Sequence, residues 1–180
     1  HKHYDLVHAH FTLSGYTAIL GSRGTPVALS LMGSDAYGEY VGENKILFFS
    51  NFLKLLTLLI QPFVRVIISK SDNIAKYVYM KRKSFIVPNG IDTEKFKPST
   101  TNFRRELNFN ENLKQILFLG SKKSVRKNIR LVQQAVSYLN RNDIELINPY
   151  PVTHEVIPKY LNSVNVLTVC SYMEGSPNVV

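Results

Sequence analysis

The chain has 180 residues, of which 44% are hydrophobic, 19% charged and 11% aromatic. This balance belongs to a globular protein and excludes collagen-like, disulfide-dense and wholly disordered classes. Lysine and arginine total 22 against 13 acids, a formal charge of +9. Such an excess suits a polyanion, an anionic membrane surface or a phosphate-bearing small molecule, without choosing among them.

In chain order, residues 5–9 read as a strand, 14–22 as a helix and 27–31 as the next strand. Residues 46–60 are the most hydrophobic stretch, fifteen residues with Lys54 among them. That is short of the roughly 20 needed to span a bilayer. Two placements fit it: a helix packed on a sheet, or one lying in a membrane interface with Lys45, Lys54 and Arg65 meeting anionic lipid. Further strands are expected at 64–69, 85–87, 116–119, 144–147 and 166–170. Between them Ile129, Val132, Val136 and Leu139 fall at helical spacing, as do Val156, Ile157, Tyr160, Leu161 and Val164. The strand candidates are short and almost wholly apolar, as strands covered on both faces should be. Alternation of strand and helix then implies parallel sheets of βαβ units, an α/β fold.

Pro88-Asn89-Gly90 is a tight turn after a strand, and residues 92–112 are polar with Pro98 inside them. A junction at 98–112 follows, leaving half a sheet in 1–98 and half in 99–180. The alternative is a long surface loop within one sheet. The chain opens without an initiator methionine and stops inside a small-residue turn, so it reads as a fragment cut at both ends. Its single cysteine, Cys170, cannot form an internal disulfide, and nothing argues for secretion. A cytoplasmic location is expected, with peripheral membrane contact as the reading of 46–60 that would qualify it.

Three segments carry chemistry. In residues 116–128 an apolar strand ends at Gly120, a basic loop follows, and an amphipathic helix begins near Asn128. The C-terminal ends of parallel strands are where α/β sheets bind ligands, and a helix N-terminus offers N–H groups to an anion. Arg126 and Lys127 add full charges suited to a diphosphate; the alternative is a merely solvated basic loop. The spacing is neither G-x-G-x-x-G nor Walker A, which counts against dinucleotide and P-loop readings. In residues 171–180 a second strand end leads into a small-residue turn, where Glu174 suits ligand hydroxyls and the amides near Gly175 and Ser176 suit an oxyanion or sugar. Pro177 also fits a plain helix start. Third, His8 and His10 share one face of a strand. With His1 and His3 nearby a metal site is conceivable, but no cysteine or carboxylate cluster completes one, and none is expected. His10, at the strand end, is the better active-site candidate; Met32-Gly33-Ser34-Asp35 forms a small-residue wall or an Asp-stabilised turn.

Taken in order, these segments resemble GT-B glycosyltransferases, specifically the retaining family 4 group. The match runs through V-H-A-H-x-x-x-S-G (7–15), L-M-G-S-D (31–35), I-I-S-K-S (67–71) and V-P-N-G-I-D-x-x-x-F-x-P (87–98). It continues with L-F-L-G-S…R-K-N (117–128), H-E-x-I-P-x-Y-L-N (154–162) and E-G-S-P-N-V-V (174–180). The resemblance implies two Rossmann-like halves, both incomplete: 1–98 the latter part of an acceptor-side domain, 99–180 the first part of a donor-binding one. It implies an enzyme that moves a sugar from a UDP- or GDP-sugar to a glycan or lipid-linked acceptor, with no metal or other cofactor. On that pattern Gly120 and Ser121 pass close to the donor diphosphate, and Lys127 with Arg126 clamps it. Glu174 matches the first acid of an E-x7-E motif and contacts donor-sugar hydroxyls, helped by the backbone of Gly175, Ser176, Pro177, Asn178 and Val179. His10 sits near the transferred sugar, while Gly15, Gly33 and Asp35 line the acceptor side.

Three departures stand out. Met32 occupies a position where many relatives carry histidine, and Ser121 one where many carry arginine. The second acid of E-x7-E falls two positions beyond Val180, so the chain as given is expected to lack the ribose-binding acid and to be inactive alone. Competing readings are another GT-B enzyme such as a nucleotide-sugar 2-epimerase, or a non-catalytic basic module binding nucleic acid or membrane. Against nucleic acid, the Lys122 loop lacks interleaved aromatic residues.

Overall fold

The structure, a computed structural model, describes residues 4–42 and 45–177. The chain divides into two compact units. The first runs to Gly90 and takes in residues 173–177; the second runs from Ile91 to Tyr172.

In the first unit, strands β1 (Val7–His10), β2 (Val27–Leu31), β5 (Val66–Ser69) and β6 (Ser84–Ile86) form one parallel sheet in the order β1-β2-β5-β6. All five residues of β2 are buried, as a central strand requires. Val27, Leu29 and Leu31 project to the core side with Ala9 and Ile67, while the other side of β2 carries only the small Ala28 and Ser30. Helix α1 (Thr12–Gly21) packs on β1 and β2, and α3 (Phe49–Ile60) packs on α1 and on the short α2 (Ser34–Tyr37). Strands β3 (Tyr40–Gly42) and β4 (Lys45–Ile46) pair antiparallel, and α4 (Asp72–Ala75) follows β5. None of α2, β3, β4 and α4 exceeds four residues, too short to leave a periodic signal in the sequence.

In the second unit, β7 (Lys114–Phe118) lies between β8 (Ile144–Ile147) and β9 (Val166–Thr168), all parallel. Helix α5 (Ile129–Leu139) covers a small core of Phe118, Ile129 and Val132. Helix α6 (Ile157–Leu161) is shorter than its apolar spacing implies. Residues 87–113 contain only turns, yet part of them is tied down on this unit. Ser99 N donates to Asn162 Oδ1, and Arg104 donates to Ser163 O and Asn165 Oδ1.

The fold is therefore α/β with parallel sheets, as the alternating pattern predicts. Strand limits differ where hydrogen bonding overrides hydropathy. β5 starts at Val66 because residues 61–63 form a 3₁₀ turn, and β7 starts at Lys114, whose N–H donates to Asp143 O. Among the described residues, no helix is long and apolar enough to cross a membrane.

Candidate functional site

Unit 1 gathers its candidates at the C-terminal ends of β1, β2 and β5. Asp35, 0% exposed, organises the first two. Its Oδ2 accepts from Thr12 N at 3.0 Å and Thr12 Oγ1 at 3.3 Å; its Oδ1 accepts from Met32 N and Gly33 N, both at 2.9 Å. One carboxylate thus stitches the β1–α1 turn to the β2–α2 turn. Burial pushes its pKa up, and hydrogen bonds from Met32, Gly33 and Thr12 pull part of that back. Thr12 Oγ1 also meets Thr57 Oγ1 at 2.7 Å, which carries the network into α3. Thr12 and Thr57 escape sequence reading because their partners are 23 and 45 residues away.

The turn held by Asp35 is the surface on which Gly175 lies. A Cβ at Gly175 would stand 2.9 Å from Ile74 Cδ1, 3.3 Å from the Met32 carbonyl oxygen and 3.8 Å from Gly33 Cα. Only a glycine allows that approach. Met173 packs on the unit 1 core, and Asn89 Nδ2 donates to Ser176 O at 3.5 Å. Residues 173–177, late in the sequence, thus join the end of β2 and the 88–90 turn. Glu174, Ser176 and Pro177 are half-buried there; Asn178 and Val179 lie outside the described residues. Among the described residues Ser69 Oγ and Ser71 Oγ, at the end of β5, are buried without a hydrogen-bond partner. They are polar groups of the I-I-S-K-S segment that sequence reading did not single out.

Gly15 lies elsewhere, buried in α1, where a Cβ would meet Ile60 Cδ1 at 2.7 Å and Leu29 Cδ1 at 3.0 Å. His10 is exposed at the end of β1, its ring centroid 4.3 Å from that of His8. His8 Nε2 pairs with Ser30 Oγ at 2.8 Å. Phe11 follows with φ 76° and ψ 143°, a strained conformation for a side chain of its size and of a kind that clusters at functional sites. Among the described residues no group of three metal ligands occurs; His1 and His3 lie outside them.

Desolvation, then the charges of His10 and Lys70, hold the His8 pKa below 6.5. The unfolded chain therefore binds more protons between the folded pKa and 6.5. The His8 contribution to stability is complete above 6.5 and is lost as pH falls through the folded value. Lys70→Ala is expected to raise the His8 pKa in an NMR titration; an unmoved midpoint would remove Lys70 from the site.

In unit 2, β7 ends at Phe118, and Gly120 and Ser121 turn the chain. A Cβ on Gly120 would lie 3.4 Å from Lys127 Cγ and 3.2 Å from Phe118 Cε1, so the Lys127 side chain folds across the glycine. Asn148 Nδ2, from the end of β8, donates to Gly120 O at 3.1 Å. Ser121 Oγ accepts from Lys123 N at 3.2 Å, and residues 125–127 form a 3₁₀ turn. Tyr172 N donates to Arg126 O at 3.0 Å, binding the chain beyond β9 to this turn. Asn128, at φ 56° and ψ 47°, breaks the path before α5. Asparagine is among the few residues that adopt this left-handed conformation readily. The structure thus brings Gly120, Ser121, Arg126 and Lys127 into one turn at the C-terminal end of the central strand of a parallel sheet, beside the start of α5. Asn148 is the residue that sequence reading missed, since an isolated asparagine after a strand carries no motif.

No protein-family model and no curated protein matches the sequence. Solved structures do. The chain resembles sucrose-phosphate synthase (tll1590) from Thermosynechococcus elongatus with a TM-score of 0.69 at 16% identity, covering 98% of this chain and 52% of that one. It resembles Anabaena Alr3699/HepE in complex with UDP-glucose with a TM-score of 0.66 at 13% identity, covering 96% and 54%. The catalytic domain of starch synthase IV from Arabidopsis thaliana, bound to ADP and acarbose, gives 0.62 at 11% identity, covering 99% and 54%. The chain spans about half the length of these structures. At such identities the likeness establishes architecture: the two parallel α/β units have the Rossmann-like fold of GT-B proteins.

Proposed function

We propose that the chain forms part of a retaining glycosyltransferase that takes a UDP- or GDP-linked sugar and passes it to a glycan or lipid-linked acceptor. In this reading residues 1–98 serve the acceptor side and 99–180 the donor side. The observation that carries it is the Gly120–Lys127 turn, where a bare backbone, a lysine, an arginine and a helix start meet at a strand end. Such a turn suits a diphosphate. The GT-B architecture and the UDP, UDP-glucose and ADP bound by similar structures support a nucleotide sugar as the partner.

In the reaction, the bond from the anomeric carbon to the diphosphate oxygen breaks, and its electron pair leaves with the diphosphate. The acceptor hydroxyl oxygen bonds to that carbon on the same face, and its proton ends on the leaving diphosphate. Lys127, Arg126 and the amides of the turn offset the charge that develops on the leaving group, without a metal. Ser121 lies on the same diphosphate side. His10 stands beside the transferred sugar, and Glu174 with the backbone of residues 175–179 holds its hydroxyls. Gly33 belongs to the acceptor side, where it too is buried. Gly15 and Asp35, both buried, act there through the backbone they hold.

Calorimetric titration of the intact protein with UDP and GDP tests this. Saturable binding of one of them is expected, with Lys127→Ala raising Kd by about tenfold or more. Glu174→Gln is expected to damage transfer more than nucleotide binding. Lack of a saturable nucleotide site, or unchanged affinity in Lys127→Ala, overturns the reading.

A further inference from the structure

Helix α3 turns most of its large apolar side chains outward. Its buried side carries Ile60 together with polar groups, and each of those has a partner. Thr57 Oγ1 donates to Asp35 O at 2.7 Å, Ser50 Oγ donates to Leu47 O, and Gln61, just past the helix, accepts from Tyr79 N and Met80 N. The outward side is aromatic and aliphatic. Phe48, Phe52, Leu55, Leu59 and Phe63 recur at helical spacing and are all at least half exposed, Phe48 at 88% and Phe63 at 69%. Phe49 stands beside this stripe, its ring 6.0 Å from that of Phe52. An apolar stripe this long on the outside of a unit marks a contact surface.

The sequence along and after it is one-sided in charge, while an acid, Glu39, lies exposed beside Leu47 at its start. From Lys45 to Ile91 the sequence has eight lysines and arginines against a single acid, Asp72. Phe63 ends the apolar stripe and also lines a concavity of about 930 Å³ with Arg65, Arg82, Lys83 and Phe85. Val27 and Val66, the first residues of β2 and β5, line it too. It therefore opens at the N-terminal end of the sheet, away from Met32, Gly33 and Glu174. Lys83 is anchored through Pro62 O and Val64 O, whereas Arg65 and Arg82 are exposed.

We propose that this face docks on an anionic lipid bilayer, α3 lying in the plane of the interface with its Phe/Leu stripe among the acyl chains and Arg65, Arg82 and Lys83 at the headgroup phosphates. The twelve residues of α3 make a rod of about 18 Å, too short to cross a hydrocarbon core of about 30 Å. Apolar insertion and attraction to anionic headgroups are the two contributions that hold an interfacial helix. A second protein copy would find the apolar stripe equally suitable but would meet the same cationic rim, repelled by its own charge. The inference is independent of sugar transfer, because vesicle binding needs no nucleotide.

The test is co-sedimentation of the chain with phosphatidylcholine vesicles, with and without phosphatidylglycerol. Binding is expected only with phosphatidylglycerol, and it should weaken as salt rises. Phe52→Ser/Leu59→Ser and Arg65→Glu/Arg82→Glu are each expected to weaken it by about tenfold or more. All four side chains are exposed, and unchanged circular dichroism would confirm that the variants fold. The chain has no tryptophan, so Leu55→Trp gives a clean reporter whose emission should shift to the blue on the vesicles. Equal binding to neutral vesicles, no vesicle binding, or indifference to either double variant overturns the proposal. A dimer dissolved by Phe52→Ser/Leu59→Ser, with no vesicle binding, would assign the face to a second copy instead.

Discussion

Replacing Asp35 with alanine is expected to destabilise the first unit by about 3 kcal/mol or more. The carboxylate accepts from three backbone N–H groups, those of Thr12, Met32 and Gly33, and from the Thr12 hydroxyl, in a place with no exposed surface. Alanine leaves the three N–H groups without an acceptor, while the Thr12 hydroxyl keeps Thr57 Oγ1, and each buried unmet donor costs about 1–3 kcal/mol before relaxation. Asparagine keeps one acceptor oxygen but turns an NH₂ group toward existing donors, so it should recover only part of the loss. Urea unfolding followed by circular dichroism measures both. A loss below about 1 kcal/mol in the alanine variant would mean that water reaches the two turns. The pH dependence supplies an independent check. Burial raises the Asp35 pKa above 3.8, so the native state holds this proton to a higher pH than the unfolded chain does. The Asp35 contribution is therefore fully present below 3.8, falls as pH rises through the folded pKa, and is level above it. Wild-type stability minus that of Asp35→Asn should follow this course, opposite in sign to the His8 effect below pH 6.5.

Gly33→Ala is the second large effect, expected to cost about 2–5 kcal/mol from two independent sources. Gly33 has φ 116° and ψ −67°, a conformation that side chains rarely adopt. An added Cβ would also lie 2.5 Å from Tyr37 Oη and 2.9 Å from its ring. Tyr37 belongs to the core at 5% exposure, so it cannot swing clear without opening a void. The damage should spread to residues 173–177, since Gly175 lies against Met32 and Gly33. Faster amide exchange at residues 173–177 would show that. Gly21→Ala is the control: a Cβ there meets nothing within 4 Å, and the change should be neutral or slightly favourable in a helix. Equal effects at the two positions would refute the steric argument.

The likeness to solved structures bears out the Rossmann-like GT-B architecture that the motif order pointed to. Which half meets which substrate, and which residues do the chemistry, rest on the experiments proposed above. The structure adds how the named segments are held. Asp35, Gly33 and Gly15 are buried and brace the backbone around them, whereas the Lys127 side chain lies over the open side of Gly120.

The sequence by itself determined the α/β class and the approximate places of the longer strands and helices. Those are local properties. A run such as 27–31 is apolar because its strand is covered, and the 129–139 spacing is helical because one face packs. The tertiary structure alone decided what each residue packs against, because the deciding contacts join distant parts of the chain. Asp35 reads as a turn former until Thr12 and Met32 close on it. Residues 46–60 fit a helix packed on a sheet or one lying in an interface, since hydropathy alone does not say what covers each side. Only the placement of Ser50, Thr57 and Gln61 inward beside Ile60, with Thr57 and Gln61 satisfied by partners elsewhere in the chain, shows that most of the apolar side chains face out. Gly175 reads as part of a flexible turn until packing on Ile74 and Met32, about 100 and 140 residues earlier in the chain, shows why a side chain has no room there. No window of local sequence contains that information, because burial and hydrogen-bond partnership belong to pairs of segments rather than to either one.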